Sequence, residues 1–305
     1  MITFKKFNFQ NYKDCFVVTD ATLQKLYDIT GDNVFVLPCG EKAKKMFYVQ
    51  KLCGWLLAKG AQKDCTLVAV GGGSVGDVVG FTASVYKRGV KLLHVPTTLL
   101  AQIDSSIGGK TAVDLNGVKN AVGTFYKADT LVDVSFLSTL PKKQWKNGQG
   151  ELLKYRMLSA EIDQIALGGN ILQTVKACAN YKQKICRADP LDKNQRHILN
   201  FGHTIGHALE LSCNLSHGEA VANGLFYETL LSHKLGLVEN AYVEKWQNQV
   251  KNLFEIHPLT PQILQLTLQD KKNVNGEVCF VLSTTDGFCT KFIPFKQLLL
   301  LLQDA

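Results

Sequence analysis

Three histidines lie close together in this chain: His203 and His207 in Asn200-Phe201-Gly202-His203-Thr204-Ile205-Gly206-His207, and His217 in His217-Gly218-Glu219. Neutral imidazole is the commonest protein ligand for zinc-like cations, and a catalytic zinc site typically takes three protein ligands and leaves one position open. At i, i+4 on a helix, His203 and His207 share one face. Either both chelate a metal, or one is a ligand and the other an acid/base or hydrogen-bonding group. A third ligand should be a carboxylate from elsewhere, and Glu151 in Gly150-Glu151-Leu152-Leu153-Lys154 is the best candidate. Satisfied core histidines are the competing reading, which suits a lone histidine better than a cluster.

A second chemical feature is Gly71-Gly72-Gly73-Ser74-Val75-Gly76-Asp77, which fits G-x-G-x-x-G at Gly71, Gly73 and Gly76. Such a turn lets the backbone approach a pyrophosphate, whose charge then sits at a helix N-terminus. The acidic ribose partner usual about 20 residues later in that fingerprint is missing, because no Asp or Glu lies between Asp77 and Asp104. Glu41 is an earlier carboxylate able to replace it. Further on, Pro96-Thr97-Thr98 and Asp104-Ser105-Ser106-Ile107-Gly108-Gly109-Lys110-Thr111 read as a long polar interruption, followed by Lys119-Asn120. Two glycines beside Lys110 suit close wrapping around phosphate or carboxylate.

These groups need a scaffold, and the sequence supplies two textures. Before residue 141, the apolar runs 15–19, 33–37, 66–70, 91–95 and 130–134 alternate with helical segments. Near-continuous apolar strands of this kind indicate a parallel sheet covered on both faces. Ligands bind at the carboxyl ends of such strands, where Asp20, Gly71 and Thr97 would lie. From Lys142 onward helix-period apolar residues dominate until Glu277-Val278-Cys279-Phe280-Val281-Leu282. The expectation is an α/β Rossmann-like domain over 1–140 and a mostly helical metal- and substrate-binding domain over 141–305, with the site in the cleft between them.

Composition limits the partners. The net charge of +8 is dispersed rather than gathered into a tract, which suits an anionic small substrate better than nucleic acid. No window reaches the roughly 18 uncharged apolar residues of a membrane span. Nine scattered cysteines, with no C-x-x-C pair and no secretion signal, favour reduced thiols in the cytoplasm.

From about Val17 to Gly287 the chain resembles the 3-dehydroquinate synthase family of the sugar-phosphate cyclases. The anchors are Gly71 to Asp77, Arg88-Gly89, Val95 to Leu100, Asp104 to Thr111, Lys119-Asn120, Arg196, Leu199 to Glu210, His217 to Ala222 and Asp270-Lys271-Lys272. The resemblance implies that Glu151, His203 and His217 hold one divalent metal, Zn2+ or Co2+, and that His207 stands off the metal as an acid/base group. It implies NAD+ bound by Asp20, Glu41, Lys44, Gly72, Gly73, Ser74, Asp77, Thr97, Thr98, Lys119, Phe136 and Thr139. Asp104, Lys110, Asn120, Lys154, Lys182, Arg196, Asn200, His207 and one of Lys271 or Lys272 match substrate-binding positions. Among these, Lys110, Lys154 and His207, together with Asp192, match catalytic ones. Arg88 matches an arginine donated across a homodimer interface.

The implied reaction takes 3-deoxy-D-arabino-heptulosonate 7-phosphate to 3-dehydroquinate and phosphate, through transient oxidation at C5. Some positions depart from the family pattern. Arg156 stands where glycine is usual, Gly150 where alanine is, Asp192 where glutamate is and Asn194 where glycine is. Thr22 and Cys39 alter the nucleotide-facing edges. The rival readings are an inosose- or valiolone-forming cyclase, a metal-dependent polyol dehydrogenase, and a non-catalytic paralogue.

Overall fold

The computed structural model describes residues 1–269 and 273–303. By packing, the chain forms two compact units, Met1–Trp145 with Ile171–Arg187, and Lys146–Asn170 with Ala188–Ala305.

The first unit is built on strands β1 (Ile2–Phe4), β2 (Phe16–Asp20), β3 (Val34–Leu37), β4 (Thr66–Gly71) and β5 (Lys91–Pro96). Strands β6 (Lys110–Leu115), β7 (Val118–Phe125) and β8 (Asp129–Val132) follow, with helices α1 (Ala21–Leu26), α2 (Met46–Ala58) and α3 (Gly73–Val85) between the earlier strands. Six strands form one parallel sheet in the order β1-β8-β5-β4-β2-β3. Alternation along each strand sends neighbouring side chains to opposite faces, and both faces are dry. Val18, Leu67, Ala69 and Leu92 pack with residues of α2 and α3 on one side, while Val17, Val68, Val70 and Val95 pack with Leu131 and Phe136 on the other. That double burial is why these strands read as continuous apolar runs. The sheet order reverses direction between β2 and β4, so the crevice outside their carboxyl ends is the place for a ligand. Asp20 ends β2 and Gly71 ends β4.

Two features differ from the expected layout. The segment carrying Lys110, Lys119 and Asn120 is an antiparallel hairpin of β6 and β7, pairing Lys110 with Phe125, and not an open loop. Strand β7 is exposed along most of its length, so its sequence lacks the apolar pattern that marks a buried strand. The division of the chain is also not a single cut after residue 140. Helix α4 (Lys142–Leu158) runs into the second unit, α5 (Ala160–Leu167) lies within it, and α6 (Ile171–Ala188) returns almost entirely to the first. On α6 the residues Val175, Cys178, Ala179, Lys182 and Cys186 are buried, and Lys182 pairs with Asp104 of the first unit at 2.9 Å.

The second unit continues with α7 (His203–Cys213), α8 (His217–Lys234), α9 (Asn240–Leu253), α10 (Pro261–Leu266), the hairpin of β9 (Glu277–Thr284) and β10 (Gly287–Pro294), and α11 (Phe295–Leu302). Helix α8 is buried almost all round, which marks a central helix. Glycines set how closely its neighbours approach. A Cβ on Gly224 of α8 would lie 1.8 Å from the Gly202 carbonyl, and one on Gly218 would lie 1.8 Å from the Asn147 carbonyl. One on Gly150 of α4 would lie 2.0 Å from the Gly218 carbonyl. The usual alanine at position 150 therefore does not fit this packing. Helix α7 begins after Gly202, whose φ of 79 favours glycine and which offers no side-chain cap. The fully buried Glu228 of α8 caps it instead, accepting from the Gly202 and Ile205 N–H groups at 2.6 and 3.1 Å.

Candidate active site and metal centre

Helices α4, α7 and α8 bring Glu151, His203 and His217 together, with one ligand atom from each lying within 4.8 Å of the others. Glu151 Oε1 is 3.3 Å from His203 Nε2 and 3.0 Å from His217 Nε2. Each group is held from behind. His203 Nδ1 faces the Phe201 carbonyl at 3.1 Å, His217 Nδ1 faces Glu210 Oε2 at 3.3 Å, and Glu151 Oε2 faces Lys154 Nζ at 2.5 Å. With Nδ1–H donated to an oxygen, both rings present Nε2 as the ligating nitrogen. One carboxylate oxygen and two imidazole nitrogens from three convergent helices suit a four-coordinate Zn2+ or Co2+ with a position left for substrate.

The electrostatics follow from burial. Glu151 is 1% exposed. Burial alone would raise its carboxyl, but the Lys154 charge and then His203 hold it well below the usual carboxylate range. Burial and the Lys154 charge push His203 down. For His217, burial opposes the charged ring, yet the hydrogen bonds and charges of Glu151 and Glu210 outweigh it and push the group up to about 9. His207 lies beside these three, its ring centroid 5.4 Å from that of His203, the same as the His203–His217 separation, and 6.4 Å from that of His217, but it is not one of the three whose ligand atoms converge.

Arg156 lies on α4 beyond the metal-facing positions. Its guanidinium donates to Asp163 Oδ1 at 2.8 Å, reaches Gln249 at 3.4 Å and packs over the Trp246 ring. At five residues from Glu151 it faces away from that carboxylate. The large cation is thus accommodated in the helical packing. The loop after α6 is organised by Asp189, which accepts N–H bonds from Lys193, Asn194 and Arg196 at 3.0, 2.6 and 3.2 Å. Those bonds hold its carboxyl below the usual range. Asp192 sits on this loop at φ 56, a left-handed conformation that aspartate tolerates better than most side chains. Arg196 is 3% exposed and donates to the Pro190 carbonyl at 3.1 Å. Asn200 ends the short 3-10 helix that begins at Gln195.

In the first unit the glycine turn is a tight cradle at the N-terminus of α3. A Cβ on Gly71 would meet Val75 at 2.6 Å, one on Gly72 would meet Thr98 at 3.0 Å, and one on Gly73 would meet Ser105 at 3.1 Å. Thr97 N–H donates to the Gly71 carbonyl at 3.0 Å. A backbone kept bare of side chains beside a helix N-terminus fits the pyrophosphate of a dinucleotide. Glu41 accepts from Ser74 Oγ at 2.6 Å. The buried Lys44 pairs with Asp77 at 2.8 Å and donates to Asn120 at 2.6 Å. Burial works against its charge, but Asp77 more than offsets that and raises Lys44.

Asp20 caps α1, beside Thr22 and Cys39, whose side chains are 3.0 Å apart. Thr139 meets the Tyr27 hydroxyl at 2.5 Å, and Phe136 is buried against the Tyr27 ring. Lys110 and Lys119 are exposed on the hairpin. Lys271 and its neighbour Lys272 lie outside the described residues. Sequence reasoning missed Glu210, Glu228, Asp189 and the buried His94 beneath Gly76, which burial lowers to about 4.

A model of the 3-dehydroquinate synthase N-terminal region matches residues 34–147, and one of the C-terminal region matches residues 127–273. The chain belongs to the 3-dehydroquinate synthase family. The 3-dehydroquinate synthase of Dictyoglomus thermophilum is 34% identical over 309 residues, covering 91% of this chain and 84% of the relative. That of Lactiplantibacillus plantarum is 40% identical over 258 residues, covering 80% and 72%. Among solved structures, the 2-epi-5-epi-valiolone synthase of Streptomyces hygroscopicus subsp. jinggangensis, with NAD+ and Zn2+ bound, superposes with a TM-score of 0.86. It is 25% identical to this chain over all of it and 97% of its own length.

Two outcomes are expected of this geometry. With its group near 9, His217 carries a proton at pH 7 when no metal is bound, so each ion bound must expel about one proton. Apparent affinity then rises with pH up to about 9 and levels off above it. Calorimetric titration of Zn2+ in buffers of different ionisation heat measures this, and no proton release at pH 7 would contradict it. Arg156→Gly is expected to cost about 3 kcal/mol, because it strips a buried ion-pair partner and places glycine within a helix. A denaturation midpoint unchanged or raised would show that Arg156 carries no such structural load.

Proposed function

We propose that this chain converts 3-deoxy-D-arabino-heptulosonate 7-phosphate to 3-dehydroquinate and inorganic phosphate. The convergence of Glu151, His203 and His217, in a chain of this family, carries the reading. The first unit would hold NAD+ through the Gly71–Gly73 turn, Glu41, Lys44 and Asp77, and the second would hold one divalent metal. When bound, NAD+ supplies a reversible hydride acceptor for C5, and the metal supplies Lewis acidity for the neighbouring hydroxyls.

With C5 at the ketone level the C6 proton is acidic, and phosphate leaves as the C6–C7 double bond forms. The ketone is then reduced, the ring opens, and an intramolecular aldol closure makes the carbocycle. The redox change cancels over the cycle. Lys154 keeps Glu151 ionised and, as a 1% exposed ammonium, presents a fixed positive charge to substrate oxygens. His207, beside the metal ligands but not among them, carries protons to and from the departing phosphate and the reacting hydroxyls. Lys110, Lys182 and Arg196 neutralise the phosphate and carboxylate, the arginine offering a bidentate fork. Asp104 is joined to Lys182 through both its carboxylate and its carbonyl, so one substrate-facing pair is preset. Asp192 takes the proton-transfer place of the longer glutamate, and Asn120 and Asn200 orient hydroxyls.

The working form is a homodimer in which Arg88 serves the neighbouring site. In support, Lys87 and Arg88 are successive non-glycine residues at φ 45 and 64, a strain that persists where presentation of a side chain requires it. A single-subunit mass in sedimentation at assay concentration would count against the dimer.

The deciding assay feeds the heptulosonate phosphate to metal-loaded protein with catalytic NAD+, following phosphate and NADH together. Phosphate is expected without net NADH, and His207→Ala is expected to slow it by about 10²–10⁴-fold. Accumulating NADH would instead mark a dehydrogenase. Turnover only with a sugar phosphate lacking the carboxylate would mark an inosose- or valiolone-forming enzyme.

A further inference from the structure

We propose that Glu210 is a positioning residue for His217, fixing the ring and strengthening its Nε2 as a metal donor. The inference rests on the metal reading above and adds a residue to it. The three ligands are backed by three different partners: a neutral carbonyl behind His203, an ammonium behind Glu151, and the carboxylate of Glu210 behind His217. Only the last is an anion accepting from an imidazole. Such a partner locks the Nδ1–H tautomer, prevents the ring from turning over, and raises electron density at the opposite nitrogen.

The placement is specific. Glu210 lies seven residues after His203 on α7, so the two project from one face two turns apart. One rigid helix therefore supplies both a ligand and the support of a ligand on α8. Glu210 is 13% exposed and sits 3.3 Å from His217 Nδ1. Capping of α8 does not account for it. Ser216 and Glu219 already form a capping box there, and Asn147 Oδ1 accepts from the Gly218 N–H at 2.6 Å.

The test compares wild type, Glu210→Gln and Glu210→Ala as full chains. Zn2+ affinity is read by competition with a chromophoric chelator, the Co2+ ligand-field spectrum is recorded, and NAD+ affinity and the melting point without metal serve as controls. Glu210→Ala is expected to lose about 10–100-fold in Zn2+ affinity and to alter the Co2+ spectrum. Glu210→Gln, which still accepts through its amide oxygen, is expected to lose less. NAD+ affinity and the metal-free melting point should hold. Wild type binding Zn2+ with Glu210→Ala within about threefold of it would overturn the role of Glu210 alone. Equal losses in both variants, accompanied by a lower metal-free melting point, would assign Glu210 to packing and also overturn it. Wild type that binds no Zn2+ would overturn the metal reading and this inference together.

Discussion

A carboxylate sealed inside a protein cannot remain ionised unsupported, and Glu151 is such a carboxylate at 1% exposure. The cost of burying an unpaired charge amounts to several kcal/mol even after relaxation. Much of the second unit is arranged to offset it. Lys154 takes one oxygen, and His203 and His217 flank the other. The same arrangement that keeps Glu151 charged also aims an anionic oxygen and two imidazole nitrogens at one point. Stability of the helical unit and competence to hold a divalent cation are therefore one problem with one solution.

That solution demands close backbone approach. The three ligands come from three helices, and side chains this short can only meet if the helix axes come near. Gly150, Gly218 and Gly224 remove the side chains that would hold α4, α7 and α8 apart. Glu228 then caps α7 from α8, fixing the height at which His203 enters. Arg156, on the far side of α4, ties that helix to Asp163 and Trp246. It reads as a disturbance when seen only as a departure from the family pattern, but in the packing it braces the helix that carries Glu151.

Much of this was legible in the chain. The five apolar runs of the parallel sheet announced themselves because both sheet faces are buried, and the glycine turn announced the end of β4 and the start of α3. Glu151, His203 and His217 were recoverable from residue type, small neighbours and family resemblance. The β6–β7 hairpin was not, because an exposed strand of mixed polarity lacks the period-two signal. Nor was the return of α6 to the first unit, since amphipathic helices look alike whichever core they join. The supports Glu210, Glu228 and Asp189 were hidden for another reason. Their partners are backbone N–H groups or a ring nitrogen, contacts that exist only once the helices and loops are placed.

The central claim is that two imidazoles and one carboxylate of this chain hold the metal while His207 does not. X-ray absorption of the Zn2+-loaded protein tests it most directly. Two imidazole nitrogens and oxygen donors at about 2.0–2.2 Å are expected, with no sulfur, and loss of one imidazole in His217→Ala but not in His207→Ala. Three imidazoles in the native spectrum, or a spectrum that loses one on removal of His207, would contradict it.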